Sequence, residues 1–156
     1  MWLFKRTVIE PPYVKLTKED LERRFDEYNA MYFDNKLPKC RITIKRDKKI
    51  SVSYYSPYYA KNGRICVDKN VNWTEEDLKL TLIHEMAHCY VDKVLDKNSA
   101  FFSHGITFRK VCGMIKKKHG IDVNLHALPY TEFKSNKEPT LLKEMLVRFC
   151  YLILPF

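Results

Sequence analysis

A chain of 156 residues with 46% apolar and 30% charged side chains has the length and composition of one domain with a single core. Twenty-eight lysines and arginines against nineteen acids leave a net charge of +9, which points to a polyanionic partner or simply to solubility. No run of about 18 apolar residues exists, which excludes a transmembrane helix, and five scattered cysteines without a C-x-x-C pair exclude a zinc ribbon and fit reduced thiols in an intracellular, cytoplasmic chain.

Residues 1–16 read as an N-terminal extension set off by Pro11 and Pro12, with too short an apolar run at its start for a signal peptide. Thr17 to Asp20 form a capping-box-like start. Leu21, Phe25, Tyr28 and Tyr32 then recur at helical spacing with Met31 beside them, and this first helix is expected to end near Asp34-Asn35, before Leu37-Pro38. Three strands follow: Arg41–Lys45 and Ile50–Tyr54 alternate apolar with polar, and Arg64–Asp68 comes after the turn signal Asn62-Gly63. Tyr54, Tyr55, Tyr58 and Tyr59, around Pro57, either pack on this small sheet or floor a cleft.

Thr74-Glu75-Glu76-Asp77 opens a second helix, expected to run to about Asp96. Its apolar stripe is Leu78, Leu82, Met86, Tyr90 and Val94, widened by Ile83, Ala87 and Val91. A loop over 97–103 leads to a third helix that starts around Ser103-His104, buries Phe108, Val111, Cys112 and Ile115, and stops at Gly120. Cys89 and Cys112 fall near apolar helix faces, as small core residues do. Basic residues gather at Lys45–Lys49 and along the third helix, where Arg109, Lys116 and Lys117 share a face opposite Phe108 and Ile115. With Lys110 and Lys118 they form either a solvated face or a phosphate-binding stripe for DNA. Residues 127–156 are a tail of uncertain role; its apolar stretch from Leu141 to Phe156 reads as a packing element, or as a partner-binding or membrane-surface segment.

The second helix carries His84-Glu85-Met86-Ala87-His88, a match to H-E-x-x-H. Histidines four apart lie one turn apart on the same face, so their ring nitrogens can converge on one metal ion. Glu85 is rotated by about 100° from His84, clear of the metal but close to a water held there. The motif sits on a partly buried helix, where imidazoles need partners. A catalytic zinc takes three protein ligands and keeps one open position. The metzincin arrangement is excluded, because Val91 and Val94 occupy its glycine and histidine positions. A thermolysin-type glutamate is missing between His88 and Glu132. Asp92, Asp96, His104, His119 and His126 remain as candidates for the third ligand. His104 is preferred, at the mouth of the third helix. His119 lies about 22 Å further along a continuous helix and cannot share its ion. Asp92 is a candidate ligand, a partner orienting a ligand imidazole, or a solvated residue.

Taken together, Phe25–Asn29, Tyr32–Pro38, Thr81–His88 and His104-Gly105-Ile106-Thr107-Phe108 resemble the SprT-like metallopeptidases, the family that includes Spartan-type proteases acting on DNA–protein crosslinks. The resemblance covers roughly 17–126, which it marks as the peptidase domain between the extension and the tail. It implies a compact zincin-like α+β fold: an N-terminal helix, a small three-stranded sheet, the active-site helix and a second helix bringing the third ligand. It implies one zinc ion held by His84, His88 and His104, with Glu85 as the catalytic general base. The implied activity is a zinc-dependent endopeptidase using a metal-activated water, directed at DNA-associated proteins, in a monomer. The C-terminal cysteine ribbon of fuller members is replaced here by the apolar tail. The alternatives are a non-proteolytic zinc-containing module that binds DNA or protein and, ranked last, a different zinc hydrolase.

Overall fold

The computed structural model describes residues 13–45, 53–58, 60–97 and 104–123. The first helix, α1, spans Lys18–Phe33 and is opened by Thr17, whose hydroxyl accepts from the Asp20 N–H at 3.2 Å. Glu19 and Asp20 favour the positive end of the helix dipole. Leu21, Phe25, Tyr28, Asn29 and Phe33 face the core. Met31 is exposed instead, and Tyr32 is only half-buried, because the buried face turns through Asn29 to Phe33. Asn29 then closes the exit: its amide donates to the Leu37 carbonyl at 3.0 Å and accepts from the Leu37 N–H at 3.1 Å. Asp34 and Asn35 adopt left-handed backbone to make that turn.

The sheet has the order β1-β3-β2. β1 (Arg41–Lys45) pairs in parallel with β3 (Arg64–Asp68), Arg41 opposite Arg64. β2 (Ser53–Ser56) pairs antiparallel with β3, Ser53 opposite Val67. Of the expected strand Ile50–Tyr54, residues 50–52 lie outside the described residues, while Ser53 and Tyr54 fall in β2, which continues to Ser56. The central strand β3 is buried at all five positions, as a strand covered on both faces must be.

α2 (Glu75–Cys89) is capped by Thr74, which accepts from the Asp77 N–H at 3.1 Å. It is buried nearly all round rather than along one stripe, which makes it the central helix of the domain. After Cys89 the helix widens into a π-helical turn, Tyr90–Val94, so the helical segment reaches its expected end in a different form. α3 (Ile106–His119) buries Phe108, Val111, Cys112 and Ile115, and Gly120 ends it in the left-handed conformation with its N–H on the Lys116 carbonyl. α2 packs against α1, β2 and α3. Arg24 reaches from α1 to Glu75 at the start of α2 (2.7 and 3.0 Å), and Lys118 of α3 pairs with Asp34 at the end of α1 (2.8 Å). Val14 and Leu16 pack against the same core, and the Val14 N–H donates to the Trp73 carbonyl at 2.7 Å. Cys40, Cys66, Cys89 and Cys112 are buried free thiols, with the sulfurs of Cys40 and Cys89 3.0 Å apart. Among the described residues no helix is long and apolar enough to cross a membrane.

Gly63, between β2 and β3, combines φ of +82° with the ring of Tyr55 lying over its Cα, so that a Cβ would come 2.3 Å from the Tyr55 hydroxyl. That hydroxyl is itself fixed, donating to Asp92 at 2.6 Å. Gly63→Ala is expected to destabilise the fold by about 3 kcal/mol, from left-handed strain and displacement of the ring. Urea unfolding measures this, and a loss of less than about 1 kcal/mol would show that the ring yields freely.

Candidate metal centre

α2 presents His84 and His88 one turn apart, and the chain just before α3 brings His104 across to them. Nε2 of His104 lies 3.1 Å from Nε2 of His88 and 3.3 Å from Nε2 of His84. Two ligand nitrogens on a tetrahedral zinc with bonds of about 2.05 Å are separated by about 3.3 Å. Two of the three separations thus match those of ligands on one small cation, all three ligand atoms lie within 4.8 Å of one another, and they form the one such group of metal-binding side chains among the described residues.

The tautomer of His84 follows from its other nitrogen. Nδ1 lies 2.7 Å from the Val123 carbonyl, which can only accept, so Nδ1 carries the hydrogen and Nε2 offers a lone pair to the centre. Phe108 walls the site: its ring stacks on His88 (4.2 Å between centroids) and meets His84 and His104 edge-on at 5.0 and 4.9 Å. Burial first, and the neighbouring histidines second, push His88 down to about 2. Burial, His84 and Arg109 push His104 down to about 4. Burial likewise lowers His84, against the pull of its bond to Val123. All three are therefore held neutral, the form that binds a metal.

Glu85 is buried on the sheet side of α2. The Ser53 hydroxyl donates to its Oε1 at 2.5 Å, and the Tyr55 backbone N–H donates to the same carboxylate. Burial raises its pKa to about 7, while these two donors pull in the opposite direction.

The other third-ligand candidates go elsewhere. Asp92 accepts from the Tyr55 hydroxyl and pairs with Lys93 at 3.0 Å, so it braces the π-helical turn against β2 and is neither in the histidine cluster nor free in solvent. Asp96 is exposed beyond that turn, with left-handed backbone. His119 sits at the far end of α3 with its ring edge against Tyr32, and His126 lies outside the described residues. The five basic residues of α3 are exposed, but Lys116 pairs with Asp122 and Lys118 with Asp34, which leaves Arg109, Lys110 and Lys117 as the less compensated part of the stripe. Tyr54 receives a bond from Arg64 and Tyr55 is tied to Asp92, so these two pack within the fold; Tyr58 is exposed, and Tyr59 lies outside the described residues. Ser53 and Val123 were not legible as site residues, since one is a serine in no motif and the other acts through its backbone. Phe108 had a signal, as the last residue of the H-G-x-x-F block.

A small α+β domain whose central helix offers two histidines of an H-E-x-x-H motif to a third from a following helix defines a metal-dependent, protease-like domain. The chain matches the family model described as SprT-like over residues 21–132 and belongs to that family of metallopeptidases. A comparison with curated proteins finds no match.

The shifted groups set how the metal-free protein responds to acid. A histidine whose folded pKa lies below its unfolded 6.5 leaves the folded state short of a proton that the unfolded chain binds, so stability present above pH 6.5 is lost as the pH falls toward 4. Glu85 acts in the opposite sense: its folded value near 7 exceeds 4.5, so protonation stabilises the fold as the pH drops through 7. Three histidines outweigh one carboxyl, although His104 is the most open to solvent and contributes least. Chelator-treated protein is expected to lose roughly 2–4 kcal/mol between pH 7 and pH 5, measured by urea unfolding at each pH. Glu85→Gln removes the opposing gain and should steepen the loss; a flat profile in both proteins would overturn the burial argument.

Proposed function

We propose that this chain is a zinc-dependent endopeptidase whose peptidase unit spans 17–126, with His84, His88 and His104 as the metal ligands and Glu85 as the general base. The observation that carries it is the convergence of three neutral imidazoles, with His104 at 3.1 and 3.3 Å from the other two, beside a buried carboxylate. A zinc ion at such a site supplies Lewis acidity toward water and toward the scissile carbonyl. Glu85 takes the proton of the attacking water and delivers it to the leaving amine. Its burial keeps it basic enough for that transfer, while a cation nearby would draw its pKa back below 7. His84 is kept in register by the Val123 carbonyl, and Phe108 keeps solvent from the inner side of the rings.

We further propose that the substrates are DNA-associated proteins and that the compartment is intracellular. The net charge of +9 and the exposed Arg109, Lys110 and Lys117 support the first, and the four free thiols support the second. Each phosphate neutralised makes binding steeper in salt.

Metal analysis and cleavage of denatured casein, with and without single-stranded DNA, test the proposal. Wild type is expected to hold one zinc and to cleave; Glu85→Gln should keep the zinc and lose about 10²- to 10⁴-fold in rate. His104→Ala should lose both zinc and cleavage. Undiminished cleavage by Glu85→Gln overturns the general-base assignment, and full zinc retention by His104→Ala overturns the ligand set. Zinc binding with no cleavage by wild type would leave a non-proteolytic zinc module. DNA affinity should fall about tenfold or more between 50 and 200 mM salt if two or more phosphates are contacted, and a flat response removes DNA from the proposal.

A further inference from the structure

The geometry points to Ser53 as a positioning residue that fixes the orientation of the Glu85 carboxylate. This inference deepens the peptidase proposal by extending the catalytic apparatus from α2 to the edge of the sheet. Glu85 comes from the middle of α2, and its side chain has rotatable bonds that burial alone does not fix. Two donors reach it from one short strand: the hydroxyl of Ser53, 2.5 Å from Oε1, and the backbone N–H of Tyr55 two residues on. The opposite side of β2 is held by β3, with Ser53 set against Val67 and Tyr55 against Ile65, so the strand cannot slide without breaking its pairing. Tyr55 is further anchored through its hydroxyl to Asp92, at the π-helical turn that follows α2. The two donors therefore stand on a strand attached to the helical segment both at Glu85 and at the turn that follows α2.

Of the two, only the Ser53 hydroxyl depends on side-chain identity. An alanine would leave the strand, its pairing and the Tyr55 N–H in place and remove one charge-assisted hydrogen bond. With Oε1 engaged by Ser53, the carboxylate is committed to one rotation. A general base works only from a defined position, and small misplacements cost large factors in rate. Ser53 touches neither substrate nor metal in this scheme. Its effect passes through Glu85 alone.

Ser53→Ala and Ser53→Thr, examined in the full chain, test the inference by two routes. In protein labelled with ¹³C at the glutamate carboxyl, the Glu85 resonance is identified by its loss in Glu85→Gln. It should move in Ser53→Ala and return in Ser53→Thr, in zinc-free and zinc-loaded protein alike. With denatured casein, Ser53→Ala should lose about tenfold in kcat, the equivalent of one hydrogen bond to a charged group, with KM and zinc content unchanged; Ser53→Thr should recover most of the rate. An unmoved resonance overturns the contact. An unchanged kcat, a loss carried by KM, or a threonine variant no better than alanine overturns the positioning role. If wild type binds zinc and cleaves nothing, the peptidase proposal fails separately, and the carboxyl resonance still decides whether Ser53 holds Glu85.

Discussion

The structure depends on keeping three imidazoles uncharged while their nitrogens stand 3.1 and 3.3 Å apart. Protonation of any one would place a cation against two neighbours in a buried setting, and burial with mutual proximity holds His88 near 2 and His104 near 4. Neutral rings can instead share a hydrogen between their facing nitrogens, as the 3.1 and 3.3 Å separations allow. A divalent cation at that point would replace these contacts by bonds to the ring nitrogens. Three buried imidazoles held neutral at this spacing are an arrangement that could hold a metal ion.

Holding such a centre requires that α2 be unable to turn about its axis, since a rotation of one residue would exchange Glu85 for a histidine. The helix is buried nearly all round, with the sheet on the Glu85 side and α3 on the histidine side. Each functional side chain is fixed by a group on a different element: Glu85 by β2, His84 by the Val123 carbonyl beyond α3, and His88 by the face of Phe108. Arg24 and Glu75 lock the start of α2, while Tyr55 and Asp92 lock the turn after it. The rotation of the helix is determined at several points along its length, the rigidity that the proposed chemistry requires.

What was legible in the sequence is what short-range rules decide. The caps at Thr17, Thr74 and Gly120 were readable because a hydroxyl or a missing Cβ acts on its own neighbours. His84 and His88 were readable because helical spacing alone brings them together. His104 was a preference among five residues from its place before α3, and the resemblance narrowed the choice to it. The alternation of Ile50–Tyr54 pointed to the strand whose described part is Ser53–Ser56, but Ser-Tyr-Tyr-Ser itself has no apolar alternation to mark its continuation. A strand lying between a partner strand and a helix is selected by hydrogen bonds that no local pattern records. Asp92 was ambiguous for the same reason, its partner Tyr55 lying on another element. Val123 left no trace, because a carbonyl has no residue identity.

The charge around the centre carries the argument one step further. The N-terminal end of α3 follows directly after His104 and turns its positive dipole end toward the site, and Arg109 adds to the field that depresses the His104 pKa. Positive potential there opposes protonation of the ring and would also oppose a dication, so the site needs a compensating negative group. Glu85 is the buried carboxylate beside the cluster, and a cation there would draw it toward its charged form. In the proposed zinc form the sum is a small net positive charge in a low-dielectric wall. That balance tolerates the neutral resting site and favours whatever brings negative charge into it, including the oxyanion that forms when a peptide carbonyl is attacked. The exposed and less compensated Arg109 and Lys110 lie on the same helix, so one helix carries both the charge felt by His104 and the exposed basic face on which the proposed DNA contact rests.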